Sequence, residues 1–145
     1  METSELIMSG LQLKKLIARK AEPVMREYDL RPVELDILVF LKKEKEIDTA
    51  RGIMQKKHLS KAHVSKSIEN LHTRGFIRIT EDEEDHRLLH IRLTDKSEEV
   101  VWKVTSVYTE CKQILQEGIQ EEEFAVMNRV IQKMTENVNR ELGEI

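Results

Sequence analysis

Between Ile47 and Leu93 the apolar positions repeat first with a helical period and then with a period of two, and this stretch organises the chain. Ala50, Ile53 and Met54 share one side of a short predicted helix, capped by Asp48 and running to about Lys57. His58 and Leu59 break the pattern. Ser60 is a good cap for a second helix that runs to Arg74 and stops at Gly75. Its apolar stripe is Val64, Ile68 and Leu71. At roughly 100° per residue, Ala62, Lys66, Glu69 and Thr73 point the other way, with His63 and Asn70 on the flanks. One side is left for a core and one for an outside contact. The period then falls to two. Phe76 to Thr80 and Leu89 to Leu93 alternate as the strands of a hairpin, joined by a polar loop from Glu81 to Leu88 without Gly or Pro.

The flanks read as long helices. Leu6, Leu13, Leu16, Ile17, Ala21, Val24 and Met25 predict one from about Thr3 to Glu27, with Pro23 as a bend or break near its end. Pro32 sits where a helix accepts proline, at the first position, and Leu35, Leu38, Val39 and Leu41 carry that helix to about Lys43. Ile47 is expected to add at most one residue pair to the hairpin. After the hairpin, Thr94 is a cap for a helix from Asp95 to about Glu117. Val100, Val104, Val107, Cys111 and Ile114 form its heptad seam, and Val101, Tyr108 and Leu115 a second stripe. Past Gly118, a last helix carries Phe124, Met127, Ile131, Met134 and Val138 in steps of three and four, with Val130 and Leu142 beside them. These seams exceed what the central motif can cover. They close either as a bundle within one chain or, the reading preferred here, as a homodimer with interleaved termini.

Two helices at a tight corner followed by a hairpin with a long tip make a winged helix-turn-helix, whose second helix enters a DNA major groove. Charge agrees with this. From Arg51 to Arg78 the basic residues are Arg51, Lys56, Lys57, Lys61, Lys66, Arg74 and Arg78, against one acid, Glu69, inside a chain of net charge −3. Such clustering near phosphates displaces counterions and gives sequence-independent affinity. With 145 residues, 35% charged and 4% aromatic, the chain suits one domain, or one small domain with an added helical part, mainly helical and with exposed charged faces. One cysteine excludes an internal disulfide and fits a reducing compartment, so a cytoplasmic location is expected. No signal peptide and no membrane span are expected.

The ordered set of elements resembles the MarR family of bacterial transcriptional regulators over nearly the whole chain. The residues that carry the resemblance are Leu30-Arg31-Pro32, Ser60 through Leu71, Arg74-Gly75-Phe76-Ile77, Asp85-His86-Arg87 in the place of an Asp-x-Arg wing signature, and Leu93-Thr94-Asp95-Lys96. The sequence departs from the pattern at Arg31, at Ser97 and in the acidic run Glu81 to Asp85. The resemblance implies a mainly α fold with a small β-hairpin, in one domain over 1–145. Within it, 30–94 is the winged helix-turn-helix lobe, and 1–29 with 95–145 the helical dimerisation region. It implies a homodimeric regulator, a repressor by expectation, on a pseudo-palindromic operator in double-stranded DNA. Arg87 would enter the minor groove with Asp85 holding it, and a small aromatic or anionic effector would release the operator.

On residue chemistry, Lys66 and Asn70 are the base-edge candidates, with Ala62 and His63 near the groove floor. Lys61 and Ser65 lie to the sides of the helix and suit phosphates, as do Lys56 and Lys57, which also offset a helix dipole where they stand. His58, His63, His72, His86 and His90 lack ligand spacing, so neither a metal nor a cofactor is expected. Cys111 lies in the heptad seam and reads as a small core residue. Arg19, Tyr28 and Trp102 are effector candidates by residue type alone. No nucleophile–base pair or phosphate loop points to an enzyme. The alternative reading, favoured by the acidic wing, is a winged-helix module that binds protein and no DNA.

Overall fold

A computed structural model describes residues 2–144. The elements run α1 (Thr3–Tyr28), α2 (Pro32–Lys43), α3 (Ala50–Lys57), α4 (Lys61–Thr73), β1 (Ile77–Glu81), β2 (Leu89–Leu93), α5 (Asp95–Gln116) and α6 (Glu121–Leu142). The chain falls into two units, Met1–Thr109 and Glu110–Ile145, and the wing and the helices before it belong to the first. Among the described residues, no helix is long and apolar enough to cross a membrane.

In the first unit, α2, α3, α4, the hairpin and the start of α5 close around one core. Ile37, Leu38, Ile53, Val64, Leu71, Phe76, Ile77, Val100 and Val104 are its most deeply buried members. Burying each such side chain stabilises the fold by roughly 1.5–3 kcal/mol. The apolar stripe predicted for α4 is therefore its inner face, and Ser67 is buried beside it. Phe76 is buried just outside β1, its ring between Arg74 (5.2 Å) and Lys96 (4.5 Å). Cations stacked on a ring face strengthen that seam.

Local chemistry sets the element ends. Pro32 occupies the first turn of α2, and the Arg31 N–H donates to Glu34 Oε2 at 2.9 Å. Pro23 stays inside α1, which continues to Tyr28 before Asp29 closes it in the left-handed region (φ 50°). Ser60 caps α4 by accepting from His63 N at 3.2 Å. Arg74 is the C-cap of α4 and not its last residue. Gly75 then takes φ 78°, which a side chain would strain, and turns the backbone into the hairpin. The hairpin pairs Ile77 with Leu93 through Glu81 with Leu89, antiparallel.

Three expectations need correction. The cap of α3 is Thr49, whose hydroxyl accepts from Gly52 N at 3.1 Å; Asp48 turns into the hairpin instead, as described below. Ile47 adds no pair to the sheet, but the next residue does the equivalent, with Asp48 O accepting from Ile91 N at 2.7 Å. Thr94 donates its hydroxyl to Gly75 O at 2.6 Å, and it is the Thr94 carbonyl that accepts from Ser97 N at 3.0 Å.

In the second unit, no residue of α6 is buried. Met127, Val130, Ile131, Met134, Val138 and Leu142 are all exposed along that helix. Cys111 is buried, in agreement with the core role read for it.

Candidate nucleic-acid interface

The outer side of α4 carries the residues that sequence singled out. Lys61, Ala62, His63, Ser65, Lys66 and Glu69 are exposed, while Val64, Ile68 and Leu71 between them are buried. A helix anchored on one face and bare on the other is a rigid platform for side chains that reach a groove. Lys56 and Lys57 are exposed at the last turn of α3. His58 follows them in the left-handed region (φ 51°), which makes the corner between the two helices tight.

Asn70 differs from the others. It is half-buried and donates its amide to Glu34 Oε1 at 2.6 Å. Glu34 is 1% exposed, and its second oxygen takes the Arg31 N–H. One buried carboxylate thus holds the start of α2 and the side of α4 together. Charged hydrogen bonds of this kind are among the stronger ones, so Asn70 meets a base edge only by giving this contact up.

The wing is more ordered than its composition suggests. Asp85 Oδ1 accepts from Arg87 N at 3.1 Å and lies 3.4 Å from Arg87 Nε. The Arg87 side chain is 93% exposed at the tip. Asp82 Oδ2 accepts the N–H groups of Glu84 and Asp85, both at 3.0 Å. Glu81 pairs with His86 at 3.1 Å. Glu81, Asp82 and Asp85 therefore have partners inside the wing, which weakens the repulsion that the acidic run would exert on a phosphate.

Behind the wing stands His90 of β2, with Asp48 on one ring nitrogen at 2.9 Å and Asp82 on the other at 2.8 Å. Arg92 reaches the far oxygen of Asp48 at 2.8 Å. The Asp82 hydrogen bond, then that of Asp48, raises the His90 pKa above the ordinary 6.5. The His90 bond and the two loop amides hold Asp82 below its ordinary 3.8.

Residues 28–88, from the end of α1 to the wing tip, match a family model described as MarR family. The winged helix-turn-helix part of the chain is similar to the MarR family. Solved structures agree on the fold. A structure described as transcriptional regulator PA3341 superposes with TM-score 0.82 at 19% identity, over 94% of this chain and 97% of that one. A MarR protein from Peptoclostridium difficile gives 0.81 at 20%, over 97% and 91%. A putative MarR family transcriptional regulator from Listeria monocytogenes, complexed with a 26mer DNA, gives 0.80 at 16%, over 97% and 95%. No curated protein matches the chain in sequence.

Two features of this lobe escape a reading of the sequence. Glu34 is the first, although glutamate three residues into a helix is a capping-box signal. The bridge of His90 is the second, and no local pattern announces it, because its partners lie 42 and 8 residues away. Several cations counted with the basic cluster or beside it are engaged in contacts within the lobe. Arg74 donates to the Asp29 carbonyl at 2.5 Å and to that of Tyr28, closing the end of α1, while Lys96 Nζ donates to Arg74 O at 2.6 Å. Lys103 lies over the Tyr28 ring at 5.2 Å and pairs with Glu27 (2.8 Å) and Glu99 (3.1 Å). Its pKa is raised, first by Glu27.

Two of the effector candidates line different recesses. Arg19 lines a recess along α1 with Gln12, Lys15 and Leu16. Trp102, 69% exposed, lines a separate open recess of about 600 Å³ with Lys42, Glu98 and Thr105. Among the described residues, no group of three His, Cys, Asp or Glu is placed to hold a metal.

Proposed function

We propose that this protein is a sequence-specific DNA-binding transcriptional regulator that acts as a homodimer. The observation that carries the reading is the division of α4, with Val64, Ile68 and Leu71 in the core and Lys61, Ala62, His63, Ser65 and Lys66 bare on the other side. That geometry suits a helix laid in a major groove, with Lys66 facing guanine and Lys61 and Ser65 beside phosphates. Lys56 and Lys57 add phosphate contacts at the corner. Arg87 enters the adjacent minor groove, where a guanidinium senses groove width and Asp85 fixes its fork. Asn70 acts second, since its amide serves Glu34 first.

A homodimer presents two such helices to two half-sites of a pseudo-palindrome. The exposed apolar stripe of α6 supports this, because a stripe of that length in water calls for a covering surface. In the proposed action the dimer represses by occupying a promoter, and a small aromatic or anionic effector changes the distance between the two α4 helices.

The test is fluorescence anisotropy of the purified full chain on the DNA upstream of its own gene, at two salt concentrations. Saturable binding that weakens with salt and is reduced by Lys66→Ala and Arg87→Ala is the expected result. Binding that ignores both substitutions overturns the reading. No binding at either salt favours the protein-interaction module, for which Glu83 and Glu84, exposed on the wing, are the supporting residues.

A further inference from the structure

The wing loop is joined to the body of the lobe through one imidazole. His90 Nδ1 lies 2.9 Å from Asp48 Oδ1, and Nε2 lies 2.8 Å from Asp82 Oδ1. A neutral imidazole has one N–H, so both carboxylates receive a donor only from the imidazolium. The two carboxylates lead to different places. Asp48 precedes α3 and also holds β2, through its carbonyl on Ile91 N and its Oδ2 on Arg92. Asp82 opens the wing loop and gathers the N–H groups of Glu84 and Asp85. Asp85 in turn orients Arg87. A continuous line of contacts therefore runs from the start of α3 to the Arg87 guanidinium, and His90 is the one imidazole in it.

We propose that His90 is a positioning residue for the wing: as an imidazolium it fixes the loop that presents Arg87, and loss of its proton frees the loop and weakens DNA binding. The inference rests on the DNA-binding reading above.

The charged groups around the ring are few. Asp48 faces it from the segment before α3, and Asp82 from the wing. Arg92 sits on the far oxygen of Asp48, with Arg78 as its cross-strand neighbour. Glu81 and His86 pair with each other farther out on the wing. Two acids against the ring outweigh the more distant arginines, consistent with the raised pKa of His90. The sign follows. What the imidazolium contributes is fully present below the ordinary value of 6.5 and is lost as pH rises through the raised value. When the proton leaves for solvent, one carboxylate faces a nitrogen lone pair in place of a donor, and the loop loses one of its two anchors.

Two measurements on the full chain test this. The first is imidazole NMR of His90 with amide exchange of residues 82–88, from pH 6 to 9. The expected result is a His90 titration above 6.5, with loop exchange rising beyond the local base-catalysed rate across the same interval. The second is anisotropy on the upstream DNA over that range, for the wild type, His90→Gln, Asp82→Asn, Arg87→Ala and His72→Gln. The wild type should weaken by up to about tenfold per pH unit for each protomer on the operator, the limit for one linked proton apiece. His90→Gln should bind more weakly at pH 6 and lose that component of the slope. Asp82→Asn, a loop substitution with little risk to folding, should move the His90 midpoint down and the binding midpoint with it. Arg87→Ala should flatten the slope, since the wing then has nothing to present. His72→Gln, at a position exposed at the end of α4 and outside the proposed DNA face, should keep it, which separates His90 from a histidine elsewhere on the lobe.

A His90→Gln slope equal to the wild type's overturns the proposal, as does a loop whose exchange ignores the His90 titration. A wild type that binds no DNA at any pH fails the DNA-binding reading and the binding half of the proposal with it. In that case, amide exchange alone decides whether His90 fixes the wing.

Discussion

Asn70, on the helix that faces outward, donates its amide to the buried carboxylate of Glu34 at 2.6 Å, 36 residues away in sequence. The same carboxylate holds Arg31 N, so α2 and α4 share one anchor. Glu34→Ala leaves Asn70 and the Arg31 N–H without their acceptor. It should cost about 2–3 kcal/mol, the range for stranding buried polar groups. Glu34→Gln keeps one acceptor oxygen and should cost less. Urea unfolding of the two variants measures the difference, and equal stability for wild type and Glu34→Ala would contradict the anchor.

Arg87 separates binding from stability. Among the described residues its side-chain partner is an exposed carboxylate at 3.4 Å, so Arg87→Ala should leave stability within about 0.5 kcal/mol of the wild type. In DNA binding the same change should cost roughly 1–3 kcal/mol. Thermal unfolding and anisotropy on the same sample show whether the two effects part in this way.

Lys66 and Lys61 lie on one bare face but should fail differently. Lys61→Ala removes a phosphate contact, weakening all DNA sequences together and lowering the salt slope by about one. Lys66→Ala should also relax the base preference at one position of each half-site. Selection from a randomised operator pool shows the second effect, and a salt titration shows the first.

The stability of the wing follows pH at both ends. Asp82, held below 3.8, contributes stability that is lost as pH falls through its lowered value. His90, raised above 6.5, contributes stability that is lost as pH rises through its raised value. The Tm difference between wild type and His90→Gln should therefore be largest near about pH 5–6 and shrink on either side. A flat difference from pH 3 to 9 would mean that the ring packs without acting through its charge.

Gly52 is a packing constraint at the corner. A Cβ there would run into the side chain of Ile47 and stand 3.2 Å from Thr49 Oγ1, the atom that caps α3. Gly52→Ala should thus cost about 1–3 kcal/mol by overpacking, against the usual helix preference for alanine. Equilibrium unfolding reads this directly.

Much of the fold was legible where the signal is local. Pro32 at the start of α2, Ser60 at the start of α4, and the alternation read from Phe76 to Thr80, one residue ahead of β1, each announce an element within a few residues. The stripe Val64, Ile68 and Leu71 also assigned the bare face of α4 correctly, since helical geometry leaves the opposite side no choice. What escaped depends on contacts across the chain. Asp48 and Thr49 are both good caps, and only the presence of His90 and Arg92 on the hairpin decides which of them turns away. Asn70 looks like a groove residue until Glu34 is placed beside it. The acidic run of the wing reads as one repulsive patch, yet Asp82 faces inward and Asp85 faces Arg87.

Arg74 carries a last consequence. Its guanidinium closes the end of α1, so it is a structural staple and no electrolyte for a polyanion. A tally of lysines and arginines along this stretch overstates the number of phosphates the molecule neutralises. The ions released per protomer on association should be fewer than that tally suggests, and a plot of log affinity against log salt should be correspondingly shallow.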